Sequence, residues 1–434
     1  MPVQPPIPSE LPTTNPAMAY AADVSRLGRP SIGAQDDAWL ILALALSRLP
    51  LLTADERRRA MLETADSLAV SALALGLAPT SPVLRVATAL RSLYGASVPV
   101  LEGPDPVSEM VFATQSVVEE LEIAGGFVLA YATLANLETV LAGSMLPRVR
   151  GNIVAQQGRV ARQLGLLDLA RDLYMSAMDQ GYECEAADVV ARGLLGLAAV
   201  ALTRGNYPAA RDCYERALAN AEVAREHDLL RSAHHGLMNC GMASGDLDAA
   251  MVHGWNVLRL CIHPDTRAEA LLNMAEICRL TGEHEAAFRV FKVAIEWTSV
   301  PRVRLHALSG ALQTAIVLHQ MDAAAVYRRE ITALMPMIAD PYTLTAIGIE
   351  FADALYRLGE HAAATDALAQ AQSIAVEQSF HELVHRAEQL ATLWQTTVHP
   401  DAAEGVVVPR ATLRRSDHFR TVLRSLNGLT AASL

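Results

Sequence analysis

Near the C-terminal end of the chain, His381, Glu382, Leu383, Val384 and His385 spell H-E-x-x-H. Residues i and i+4 share one face of a helix, so both imidazoles could ligate one zinc ion while the glutamate acts as general base on a bound water. The rest of a zinc-peptidase set does not follow. Arg386 stands directly after the second histidine, where a helix buried under a cleft needs an uncharged residue. One third-ligand spacing would place glycine and histidine where Glu388 and Ala391 stand, and Glu404 falls in the loop-like "HPDAAEGVVVP". The string reads as the solvated start of a helix with incidental histidines, and a metallopeptidase is the third-ranked function.

Other chemistry-bearing residues have equally plain readings. His234 and His235, with Asn239 and Cys240 about one turn on, could be imagined around a metal, but read better as groove or core side chains. The five cysteines (184, 213, 240, 261, 278) are dispersed and odd in number, as expected of small buried hydrophobes in a reducing compartment. No phosphate-binding glycine loop, dinucleotide fingerprint or nucleophile elbow is present. No catalytic residue, metal site or cofactor is therefore expected.

The elements that hold these residues are helices. Of the 434 residues, 52% are hydrophobic but only 5% aromatic, so the apolar content is mostly Ala, Leu and Val. The net charge is −12 and is spread along the chain, which argues against direct nucleic-acid binding. The N-terminal residues lack the basic and apolar regions of a signal peptide, and "LILALALSRLPLL" (40–52) is too short to span a bilayer. The expectation is a soluble, cytoplasmic, bacterial protein with no membrane partner.

Residues 1–35, rich in Pro, Ser and Thr without hydrophobic periodicity, read as a disordered arm. Residues 36–145 read as a helical region in which degenerate repeats could occur. From there the chain repeats itself: "LGLLDLARDLYMSAM" (164–178), "RGNYPAARDCYERAL" (204–218), "SGDLDAAMVHGWNVL" (244–258), "TGEHEAAFRVFKVAI" (281–295) and "LGEHAAATDALAQAQ" (358–372). Each carries a turn glycine and an alanine five residues later. The glycines are Gly165, Gly205, Gly245, Gly282 and Gly359, with a degenerate unit near "LHQMDAAAVYRREI" inside the longest gap. Glycine suits a left-handed turn ending a first helix, and Ala170, Ala210, Ala250, Ala287 and Ala364 let a second helix approach the first. Tyr174, Tyr214 and Phe291 would fill the space between hairpins. One hairpin cannot bury its apolar face, so the units must stack.

These units resemble tetratricopeptide (TPR) repeats over roughly residues 150–395. In "RGLLGLAAVALTRGNYPAARDCYERAL", Leu197-Ala198, Gly205, Tyr207, Ala210, Tyr214 and Ala217 fall where that pattern has Leu, small, Gly, Tyr, Ala, aromatic and Ala. The fold expected is all-α: an α-α superhelix, a TPR-like solenoid of antiparallel helix pairs, over 146–398. Residues 399–434 read as a linker and an amphipathic helix, with Leu413, Phe419, Val422, Leu423 and Leu426 forming its apolar stripe. That helix either caps the last repeat, the favoured reading, or docks a partner.

The resemblance implies that first helices line a concave groove holding an extended or helical peptide. Projected onto this sequence, the groove candidates are Arg159, Arg162, Arg192, His235, Asn239, Glu276, Arg279, Asp353, Tyr356 and Arg357. The Lys and Asn clamp by which some members hold a C-terminal carboxylate is absent. Three arginines on neighbouring first helices instead point to an acidic or C-terminal peptide segment. The expected function is a non-catalytic protein-interaction scaffold or adaptor. The alternative is a peptide- or partner-sensing regulator of transcription or signalling.

Overall fold

The computed structural model describes residues 18–19, 21–23, 42, 46, 54–74, 84–88, 91, 106–141, 146–338, 340–378, 380–396 and 416–428, and every regular element among them is helical. The chain divides into two compact units between Leu229 and Leu230.

The N-terminal unit holds α1 (Ala54–Ala74), α2 (Pro106–Ala124), α3 (Phe127–Leu141), α4 (Pro147–Gln163), α5 (Leu167–Glu183), α6 (Ala187–Thr203) and α7 (Tyr207–Ala224). From α2 onward each helix packs on the next, and α4 also packs on α6, the first helix of the following pair. The C-terminal unit takes in α8 (His227–Ser244, its first three residues preceding the division), α9 (Leu247–Leu260), α10 (Pro264–Leu280), α11 (His284–Trp297), α12 (Pro301–Val317), α13 (Met321–Leu334), α14 (Pro341–Arg357), α15 (His361–Glu377), α16 (His381–Thr396) and α17 (Asp417–Asn427). Here α12 packs on both α10 and α14, and α14 on α16, so first helices lie side by side. Each unit is a stack of antiparallel helix pairs, a helical solenoid.

One turn recurs within the pairs. Gly165, Gly205, Gly245, Gly282 and Gly359 have φ between +72° and +82°. In the degenerate unit, where no glycine is available, His319 takes φ +55° at the corresponding place, and the N–H of Gln320 reaches back to the carbonyl of Ala315 at 2.8 Å. The same six-residue closure joins Leu166 to Ala161 and Glu360 to Leu355. Gly125, with φ +83°, makes the turn between α2 and α3, 40 residues before Gly165. Proline supplies the opposite boundary: Pro147, Pro264, Pro301 and Pro341 each open a first helix, where the missing N–H costs nothing.

Packing follows from small residues facing large ones. Ala170, Ala210, Ala250, Ala287 and Ala364 are all fully buried. Tyr174 of α5 lies against Gly158 of α4 and Gly196 of α6; a Cβ on Gly196 would stand 2.1 Å from its ring. Phe291 of α11 sits on Gly310 in the same way. The cysteines are all free thiols, with Cys240, Cys261 and Cys278 buried.

Two readings of the sequence need correction. Within the arm expected to be disordered, Met18–Ala19 and residues 21–23 are helical, and Ala19 and Asp23 are buried. The Asp23 carboxylate accepts the N–H groups of Val128 (3.0 Å) and Leu129 (2.7 Å), which lie in the first turn of α3 and have no partner within it. That cap offsets the cost of burying the charge. The remainder of the arm lies outside the described residues, as do Leu413, Glu404 and the linker 399–415. Secondly, α17 does not cap the last repeat. It packs on α9 and α11, with Phe419, Val422 and Leu426 buried in their core.

Candidate ligand-binding groove

In the C-terminal unit, α12, α14 and α16 together line a cleft of about 240 Å³. Its walls are Gln313, Ile349, Glu350, Asp353, Arg386, Gln389, Leu390 and Leu393. Glu350 is the hub: it accepts hydrogen bonds from the Ser309 hydroxyl (2.8 Å) and the Gln313 amide (3.4 Å) on α12, and from Arg386 (3.0 Å) on α16. Its partners lie 41, 37 and 36 residues away, close to one repeat period. Polar residues at one repeat interval on first helices were therefore the signal that could have found Ser309, Gln313, Glu350, Arg386 and Gln389; the groove projection missed all five.

Of the residues it did select, Glu276 and Arg279 of α10 form a half-buried bidentate pair at 2.5 and 2.8 Å. That pairing, reinforced by the fields of Glu350 and Asp353, holds the Arg279 guanidinium firmly protonated. Asp353 lines the cleft and accepts from Arg357 at 2.8 Å, one turn on. Three carboxylates and three guanidiniums are thus gathered on α10, α14 and α16. His306 of α12 lies within the fields of Glu350 and Asp340, yet burial outweighs them and, with Arg302, holds its imidazole below the ordinary range.

Tyr356, half-buried, is engaged by the neighbouring first helix. Its ring stacks on Trp394 at 4.5 Å and its hydroxyl donates to the Trp394 carbonyl at 3.3 Å, so it joins α14 to α16. His235 is exposed on α8, with Asn239 half-buried one turn on. The protein atoms crowded round the His235 ring lower its pKa, Arg231 assisting and Glu269 opposing, although its surface stays open to solvent. His234 turns instead to His253 of α9, their Nδ1 atoms 3.0 Å apart.

In the N-terminal unit the arginine cluster is partly occupied by the chain itself. Arg159 pairs with Glu122 of α2 at 3.1 Å. Glu122 is largely buried, and desolvation raises its carboxyl pKa against the pull of Arg159 and Arg162. Burial raises the Tyr174 hydroxyl pKa against the opposing charges of Arg162 and Arg159. Arg192, on the neighbouring first helix α6, is exposed, with no ion-pair partner among the described residues.

The H-E-x-x-H string opens α16 with His381, Glu382 and His385 all exposed. The Gln389 amide donates to His385 Nε2 at 2.8 Å within the same helix, while Arg386 turns to Glu350. Among the described residues no group of three or more His, Cys, Asp or Glu side chains could hold a metal ion. None of their helices is long and apolar enough to cross a membrane.

The sequence matches no protein-family model and no curated protein. Solved structures match by fold. A signal-transduction ATPase of the STAND class with a tetratricopeptide repeat sensor, from Pyrococcus horikoshii, superposes with a TM-score of 0.53 at 13% identity, over 85% of this chain and 57% of that one. Aspartyl phosphate phosphatase F from Bacillus subtilis gives 0.50 at 9% identity, over 79% and 94%. A Rap protein complexed with competence and sporulation factor gives 0.46 at 11% identity, over 82% and 99%. The first two establish a TPR-like helical-repeat fold.

Proposed function

We propose that the chain is a non-catalytic interaction scaffold of the tetratricopeptide kind, acting in the cytoplasm, whose first-helix groove holds a peptide or an extended segment of a partner protein. The observation that carries this reading is the cleft on α12, α14 and α16. There the amides of Gln313 and Gln389 and the charges of Glu350, Asp353 and Arg386 surround the apolar Ile349, Leu390 and Leu393. Amide side chains can donate to and accept from a peptide backbone, and a cleft of this size takes a side chain or two of a longer chain rather than a whole cofactor. Because the groove charges already neutralise one another, a ligand of mixed charge with an apolar anchor fits this end. The exposed Arg192 favours a carboxylate in the N-terminal unit.

Selection of a random peptide library against the full chain tests the reading. Arg386→Ala and Gln389→Ala, both at exposed positions, should weaken the selected peptides about tenfold or more, roughly 1.4 kcal/mol, without altering the melting temperature. Failure to enrich any peptide, or undiminished binding to both variants, overturns it.

A further inference from the structure

Second helices of a solenoid normally bury one stripe and give the rest to solvent. In α5 that stripe is Ala170, Tyr174, Ala177 and Gly181; in α7 it is Ala210, Tyr214, Ala217 and Ala221; in α15 it is Ala364, Leu368, Ala371 and Ala375. Within the C-terminal unit two second helices differ. Besides Ala287, Phe291 and Ala294, α11 buries Ala286, Val290 and Val293, a second stripe at i, i+4 and i+7. Besides Ala250, Gly254 and Val257, α9 buries Met251 and Leu258, with Trp255 partly buried between them. These are the two helices on which α17 lies.

The fit of α17 is directional. Phe419, Val422 and Leu426, at i, i+3 and i+7, enter the shared core, and Phe419 is fully buried. At one end the Ser416 N–H meets Asp248 (3.4 Å); at the other Arg289 donates to the Asn427 side chain (2.6 Å). The outer face of α17, with Asp417, Arg420, Thr421, Arg424 and Ser425, is exposed. Nor does the stack require α17 as an end cap. The outer face of α16 already carries exposed His381, His385, Glu388, Thr392 and Gln395, the polar surface a terminal repeat needs.

We propose that the outer face of α9 and α11 is a docking groove for an amphipathic helix with apolar residues at i, i+3 and i+7, and that α17 is its displaceable occupant. A partner helix of this pattern, running in the same direction so that Asp248 meets its first turn and Arg289 its last, binds by exchanging with α17. Tethering keeps α17 at an effective concentration of about 1 mM, so it blocks a free helix of about 10 μM affinity roughly a hundredfold.

A fluorescent peptide spanning residues 414–429 is titrated into the full chain and into full-length Phe419→Asp. The variant should bind the peptide, and the unaltered chain at least about tenfold more weakly; a peptide with aspartate in place of phenylalanine should bind neither. Equal affinity for both proteins, or no binding to a folded Phe419→Asp chain, overturns the proposal. Where Phe419→Asp does not fold, Val422→Ala serves as the milder cut and should bind more tightly than the unaltered chain. Loss of cooperative unfolding in both variants makes α17 an integral part of the core and equally overturns exchange.

Discussion

Gly196 shows how one missing methyl group sets the spacing of two hairpins. Tyr174 occupies the space its Cβ would fill, and a ring wedged between two helices cannot swing away as the end of a flexible chain could. Gly196→Ala should therefore cost about 1–3 kcal/mol, read as a lower melting temperature by calorimetry; an unchanged midpoint would mean the helices can part freely. His319 presents the opposite case. Its left-handed backbone is costly for any residue with a Cβ, so His319→Gly should stabilise the protein by about 0.5–1 kcal/mol after glycine's own entropy cost. Chemical denaturation of the two chains side by side would show it, and a loss of stability would point to a role for the imidazole. The turn at His319 and the ring of Tyr174 belong to a pattern readable without coordinates, a glycine or its substitute at each turn, an alanine five residues on and an aromatic beyond; Gly196, inside a first helix, does not. What the register of Tyr356 could not show is its partner: the ring stacks on Trp394, 38 residues on along the chain.

At the scale of elements, first helices carry polar groups into a shared cleft, and their titration leaves a mark on stability. The pKa of His306 in α12 is lowered chiefly by burial. In the unfolded chain the same imidazole takes up its proton near pH 6.5. The sign follows: His306 contributes its stability above that value and loses it as pH falls below it. The melting temperature should thus drop between about pH 7.5 and about pH 5.5, and His306→Gln should flatten part of that drop. Parallel pH profiles for the two proteins would exclude the residue as the source. Pro147, Pro264, Pro301 and Pro341 stood unread at the starts of four first helices, though the helices themselves were legible from periodicity. The Glu350 hub was not, because hydrogen bonds between first helices join residues a full repeat apart, whereas periodicity within one helix shows only its own face.

For the molecule as a whole, charge decides what the arginine cluster can do. A chain of net charge −12 repels an acidic ligand at long range, so any attraction must come from a local group not already neutralised. Arg159 has Glu122, whose field also reaches the half-buried Arg162, which leaves the exposed Arg192 the most available of the three. Once an acidic peptide ligand is in hand, Arg192→Ala alone should remove most of the salt dependence that the triple alanine variant removes. Binding isotherms across a salt series would test it. A single variant indistinguishable from the unaltered chain, beside a triple variant that loses binding, would return the role to the paired arginines.

The sequence by itself determined the class of structure. Turn glycines at near-constant intervals, with small and aromatic residues in phase behind them, admit only stacked helix pairs, because a lone pair cannot bury its apolar face. It also held, unread, the second apolar stripes of α9 and α11. Only the tertiary structure decided which charges remain available and where α17 goes. Glu122 reaches Arg159 across 37 residues, and Phe419 reaches a core built more than a hundred residues earlier. Such pairings depend on how far each helix leans on its neighbours, and a repeat period is the same whichever way its outer faces are filled.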